Sequence, residues 1–190
     1  MKKVMLAVVG LPGSGKSEVT KYLIEKTKAP KVHFGEVVTI DEMHRRGLER
    51  TQANERIIRE SLREELGMAA MAIKSEAKIR AAFEQSSLVI LESLYSWEEF
   101  LFVREKFGDP MIINVFASPK LRYQRLVERE HRGLASLEEA KERDFAQITF
   151  LNQGGPIAIA DYTIINNGSL EDVYAQLDII LEELHVKRPA

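Results

Sequence analysis

Cysteine is absent from the 190 residues, so the chain has no disulfide and no thiolate to attack a substrate or hold a metal. Histidine is scarce. His33, His44, His131 and His185 are scattered without ligand-like spacing, and no structural zinc is expected. No apolar run approaches the roughly 18 residues that a membrane-spanning helix needs. Net charge is also small, at −2, which gives no global reason to expect a nucleic-acid partner. Repeats and low-complexity stretches are missing too. A chain of this length is expected to be one domain with a substantial core, a monomer or homodimer.

What is there begins at the N-terminus. MKKVMLAVVGLPG superficially resembles a secretion signal, two lysines and then an apolar stretch. That stretch runs directly into the glycine-rich segment GLPGSGKSEVT, Gly10 to Thr20, so cleavage would destroy the segment, and a cytoplasmic location is expected. Three glycines in six positions, then Lys16 and Ser17, match the glycine–four residues–glycine–lysine–serine pattern without a mismatch. That pattern gives a turn tight enough for successive backbone N–H groups to face phosphate oxygens. Lys16 would reach the β- and γ-phosphates, Ser17 would ligate Mg²⁺, and the following helix adds its positive N-terminal end. The flanks agree. Val4 to Val9 is an apolar run fit for a strand buried on both faces, and KSEVTKYLIEKT places Val19, Tyr22, Leu23 and Lys26 on one side of a helix. The expected contacts to ATP are Gly10, Leu11, Pro12, Gly13, Ser14, Gly15, Lys16, Ser17 and Glu18.

Apolar runs then alternate with helical patterns. Lys31–Gly35, Leu88–Ser93, Met111–Ala117 and Asp161–Asn166 read as strands two to five. A charged helical region from about Val37 to Gln85 is broken near Gly47 and Gly67. Ser96 with Glu99, and Ser136 with Glu139, have the spacing of capping boxes. Ser118-Pro119 predicts a capping hydroxyl followed by proline at the first helical position. Ser169 is expected to cap a closing helix with Val173, Leu177, Ile180, Leu181 and Leu184 inside. Five strands separated by helices predict an α/β fold: a five-stranded parallel sheet in a three-layer αβα arrangement, with ligands at the carboxyl ends of the strands. Residues 37–85 and 122–160 stand out as arginine-rich insertions where a substrate would be sought.

Several charged groups have two readings. Glu92 closes a buried strand, where an acid orients Mg²⁺ or its waters; it equally suits a carboxylate capping a neighbouring turn. Arg122, Arg125, Arg129 and Arg132 recur at helical spacing, which fits phosphate neutralisation or a solvated face paired with glutamates. Arginines 45, 46, 50, 56, 59 and 63 lie among seven acids between Asp41 and Glu65, mostly as surface pairs. Glu36 suits acceptor-proton or metal work, and equally a helix N-terminal acid.

Together GLPGSGKSEV, FGEVV, ASPKLRYQRLVER and ADYTIINNGSLEDV resemble the nucleoside-monophosphate kinase group of P-loop proteins. Within it they resemble the archaeal adenylate-kinase-related UPF0200 family, with dephospho-CoA kinases more distant. The resemblance covers nearly the whole chain. It implies an ATP- and Mg²⁺-dependent phosphotransferase acting on a nucleotide-like acceptor such as AMP, with residues 37–85 on the acceptor side and 122–160 as a lid. It further implies that Arg125 and Arg129 begin the lid, one against the base and one on the phosphates. Arg143 matches the second lid arginine, Asn167 and Gly168 the loop near the donor adenine, and Glu36 a position usually held by Asp. Two acceptor-phosphate arginines of the group are replaced by Thr39 and Tyr95. Arg45, Arg46 or Arg63 are their candidate substitutes. A dephospho-CoA acceptor, or an ATPase switch without a small-molecule acceptor, are the alternatives.

Overall fold

The computed structural model describes residues 3–129 and 133–184, and the side chains of residues 36, 37 and 52 fall outside that description. In chain order the elements are β1 (Val4–Val9), α1 (Lys16–Thr27), β2 (Lys31–His33), α2 (Phe34–Arg45), α3 (Gln52–Leu66), α4 (Ala70–Gln85) and β3 (Leu88–Glu92). There follow α5 (Trp97–Phe107), β4 (Met111–Phe116), α6 (Pro119–Val127), α7 (Leu137–Leu151), α8 (Gly154–Ala158), β5 (Tyr162–Ile165) and α9 (Leu170–Glu183). The sheet runs β2-β3-β1-β4-β5, and every pairing is parallel.

Alternation along the strands explains the layers. Met5, Ala7 and Val9 of β1, with Val89 and Leu91 of β3, pack against one helical layer that includes Ile58, Leu62, Ile79 and Phe100. Val8, Ile90, Ile113 and Ile164 point the other way, onto Val19 and Leu23 of α1 and Val173, Leu177 and Ile180 of α9. The central strands are buried on both sides, as their unbroken apolar runs require. From β1 the chain goes to the edge strand β2 and back to β3 on one side, then to β4 and β5 on the other. This opens a crevice at the carboxyl end of β1, where Gly10 begins its loop.

Four local expectations are corrected. β2 ends at His33, and helix α2 begins at once with Phe34, because Phe34 is fully buried and Gly35 and Glu36 continue the helix rather than an edge strand. Ser118 makes no side-chain cap; its N–H instead donates to Asn167 Oδ1 at 2.8 Å. Ser136 does accept from the Glu139 N–H, but the Glu139 carboxylate reaches back to the Ala135 N–H, one residue beyond a closed box. The short helix α8 was not expected from its Gly-Gly-Pro sequence. It fits because Gly155 passes the Trp97 ring so closely that a Cβ would lie 2.7 Å from it. Ser96–Glu99 and Ser169–Asp172 both form complete capping boxes.

Candidate functional site

The loop after β1 curls over the crevice and hands directly into α1, whose N-cap is Gly15 at φ 100°, with no side chain capping it. A Cβ on Gly15 would fall on the Asn166 amide nitrogen, so the position needs glycine for both its conformation and its space. Asn166 Nδ2 donates to the Ser14 carbonyl at 2.7 Å, which ties the end of β5 to the loop. Ser14 itself is fully buried, and its hydroxyl has no partner.

Lys16 turns inward, donating to the Gly10 carbonyl at 2.7 Å and the Leu11 carbonyl at 3.2 Å. Burial of its ammonium, reinforced by Arg129, lowers its pKa to about 8, opposed by Glu92. Gly10 O also accepts from Gln153 Nε2 at 2.9 Å, so α8 and α1 converge on one carbonyl. Gln153 is a residue that sequence reasoning missed. Its contact lies 143 positions away, and no local pattern announces it.

A cavity of about 350 Å³ lies over the loop, lined among others by Lys16, Ser17, Glu92, Tyr95, Arg129 and Arg143. Pro12, Gly13, Gly15 and Glu18 line it too. Expected site residues from four separate segments thus meet at one place. Among the described residues, neither Arg129 nor Arg143 forms an ion pair. Both also line a neighbouring groove of about 790 Å³ that continues to Arg56 and Arg59 of α3.

The arginine stripe divides. Helix α6 stops at Val127, so Arg129 lies beyond it, and Arg132 is outside the described residues. Arg122 is buried and carries no free charge to the site. It holds Asp144 of α7 through Nη1 at 2.8 Å and Nη2 at 2.5 Å, and donates to the carbonyls of Pro12 at 3.1 Å and Ala117 at 3.0 Å. Arg125 donates to the Asn166 carbonyl at 3.1 Å and keeps a buried Nη1 without a partner. Asn167 holds the start of α6, while Gly168 lies against Asp172 of α9; Asn166 between strand and loop is the neighbour that touches Ser14. The side chain of Glu36 is outside the described residues.

On the other flank, Arg45 and Arg46 are both committed to Glu42, and those bonds, Arg45's foremost, hold the Glu42 carboxyl down to about 2. Thr39 donates to the Gly35 carbonyl. Arg63 differs. It has no ion pair among the described residues, its buried Nε lacks a partner, and burial lowers its pKa with Glu99 and Tyr95 nearby. Tyr95 is raised chiefly by burial and bonds to Ser93. Ser93, at φ 70°, stands 3.0 Å from His33 Nε2. His33 lines the same cavity and sits opposite Glu92 in the strand register. A histidine at a strand end was the available signal for it. Two hard oxygen donors, the Ser17 hydroxyl and the Glu92 carboxylate, share the cavity. That set suits Mg²⁺, which takes few protein ligands when phosphates supply the rest.

Comparison with known proteins agrees with this architecture. The AAA domain family model matches residues 9–142. A UPF0200 protein of Thermococcus kodakarensis is 35% identical over 184 residues, 95% of this chain and 98% of the relative. Among solved structures, TT1252 from Thermus thermophilus superposes with a TM-score of 0.68 at 22% identity, over 97% of this chain and 99% of that one. Shikimate kinase from Acinetobacter baumannii, in complex with shikimate, does so with 0.58 at 15% identity, over 97% and 95%. The fold is that of P-loop kinases. The chain belongs to the UPF0200 family and, over residues 9–142, to the AAA domain family.

Proposed function

We propose that the protein is a phosphotransferase of the nucleotide-kinase type, moving the γ-phosphoryl group of Mg·ATP to a nucleotide-like acceptor such as AMP. The observation that carries this is the convergence of Lys16, Arg129 and Arg143 on the cavity above the Gly10–Ser17 loop, with the two arginines unpaired among the described residues. Phosphoryl transfer needs positioning and cations around the equatorial oxygens more than covalent chemistry. In this reading the backbone from Gly10 to Ser17 holds the β- and γ-phosphates, and Lys16 leaves the Gly10 and Leu11 carbonyls for a phosphate oxygen. Arg129 and Arg143 offset charge on the transferred group. Arg125, Asn167 and Gly168 border the donor base. Ser17 and Glu92 would hold Mg²⁺, which supplies charge neutralisation between the β- and γ-phosphates.

The single domain carries its acceptor side on residues 37–85 and its lid on 122–160, where Arg122–Asp144 joins α6 to α7 so that they move as one piece. Closing that lid excludes water as a competing acceptor. Arg63 is the arginine we assign to the acceptor phosphate, because Arg45 and Arg46 already hold Glu42, while Arg63 forms no ion pair among the described residues. Glu36 is assigned the acceptor side of the site.

A second reading, an ATPase switch or a dephospho-CoA-like acceptor, draws on Thr39 and Tyr95, which offer no cation where the resembling group has arginine. The test is ADP release from Mg·ATP, first alone and then with nucleoside monophosphates and dephospho-CoA, with Lys16→Ala as the blank. A large rise with one monophosphate, absent in the blank, supports the kinase. A flat response across the panel rejects it in favour of the switch.

A further inference from the structure

Glu92 already has a cation on it. Lys31, on the edge strand β2, places its Nζ 2.9 Å from Glu92 Oε2. The two ends of this bond are unlike: the carboxylate side chain, at the end of β3, is 9% exposed, while the lysine is 40% exposed. The pair borders a second cavity of about 490 Å³ that opens off the loop through Ser17, His33 and Glu92. Among the described residues no cluster of three acidic or histidine side chains could hold a metal. Among the described residues, Glu92 and the exposed Glu18 are the carboxylates lining the loop cavity beside Ser17. Against Glu92 stand Lys16, Arg129 and Arg143 on one side and Lys31 on the other. A polyphosphate entering here meets several positive charges.

We infer that Lys31 is a positioning residue that competes with Mg²⁺ for Glu92, and so sets how much nucleotide binding gains from the metal. This rests on the phosphate-loop function proposed above. A carboxylate neutralised by a contacting ammonium attracts a second cation less, and Mg²⁺ or its bound water must share or displace the lysine. Because Lys31 is partly exposed, solvent screens the pair and the competition is modest. Lys31 thus tempers a site whose fixed arginines already favour the nucleotide alone.

The test is calorimetric titration of ATP into the full-length protein, in excess EDTA and in excess Mg²⁺, for the wild type, Lys31→Met, Lys31→Gln and Lys31→Arg. The quantity read is the ratio of the two dissociation constants, which a merely structural role for Lys31 does not move. Thermal unfolding of each variant identifies any that fails to fold, and the exposed edge position makes Lys31→Gln the milder of the two neutral replacements. The ratio is expected to rise about five-fold in the neutral variants, the scale of a partly exposed ion pair, and to return to the wild-type value in Lys31→Arg. An unchanged ratio in folded neutral variants overturns the inference and leaves the phosphate-loop function standing. Failure of the wild type to bind ATP in either condition overturns both.

Discussion

Glu99 lies at the third residue of α5 with its carboxylate fully buried, accepting from the N–H groups of Tyr95 at 2.7 Å and Ser96 at 3.1 Å. Burial pushes its pKa up to about 7, against the pull of those two N–H groups and of Arg63, and with Glu98 adding to the rise. A carboxyl whose folded pKa exceeds its unfolded value binds more protons when folded. Its contribution is therefore full below about 4.5 and is lost as pH climbs to about 7. The difference amounts to at most about 3 kcal/mol. Urea unfolding at pH 5 and pH 8 should show Glu99→Gln losing part of the pH slope that the wild type displays; identical slopes would refute the buried-acid account. Gly15 offers a second check. Gly15→Ala meets both a left-handed φ and the Asn166 amide, and is expected to cost more than about 1 kcal/mol and to weaken ATP binding in the same titration.

At the scale of elements, the Arg122–Asp144 pair is the bond that joins α6, α7 and the loop carbonyl of Pro12. Removing one partner strands a buried charge, and Asp144→Asn or Arg122→Met should lower unfolding free energy by about 3–5 kcal/mol. The double variant Arg122→Met with Asp144→Leu should recover part of that, measured by the same urea curves. This pair also marks where sequence reading stops. Helical spacing put Arg122 in line with Arg125 and Arg129, but spacing does not reveal that Asp144 sits 22 residues away, ready to neutralise it. Local signals did better. The Ser96 box, the Ser169 cap and the apolar runs of β1, β3 and β4 were legible because their determinants are neighbours in the chain. Ser118 makes no side-chain cap, and the Asn167 oxygen that accepts its N–H lies 49 residues on, outside any local window. Phe34 was taken for a strand residue because its burial comes from the α2–α4 layer, which no window around it contains.

For the molecule as a whole, alternation of strands and helices was enough to predict the parallel three-layer fold, since short right-handed connections leave few other ways to bury such strands. The phosphate loop was legible for a different reason: its conformation depends on glycine at fixed positions. What surrounds the loop was only partly legible. Arg129, Arg143 and Glu92 were singled out and do line one cavity, which His33 also lines, whereas Gln153 and Asn166 reach the loop carbonyls and Lys31 reaches Glu92 only through the topology. Choosing among Arg45, Arg46 and Arg63 needed to know which carboxylates the first two already hold. An acceptor role for Arg63 predicts that Arg63→Met raises the acceptor KM at least ten-fold, about 1.4 kcal/mol, while the KM for ATP changes little; an unchanged acceptor KM would remove Arg63 from the site.

The measurement that bears most directly on the central claim follows the phosphoryl group itself. ATP labelled at the γ-phosphate is incubated with enzyme, Mg²⁺ and AMP, and the label is traced by chromatography in wild-type and Lys16→Ala protein. The account predicts label appearing on the acceptor nucleotide in the wild type and absent with Lys16→Ala. Label released only as inorganic phosphate, at a rate indifferent to AMP and to every other acceptor offered, would contradict it.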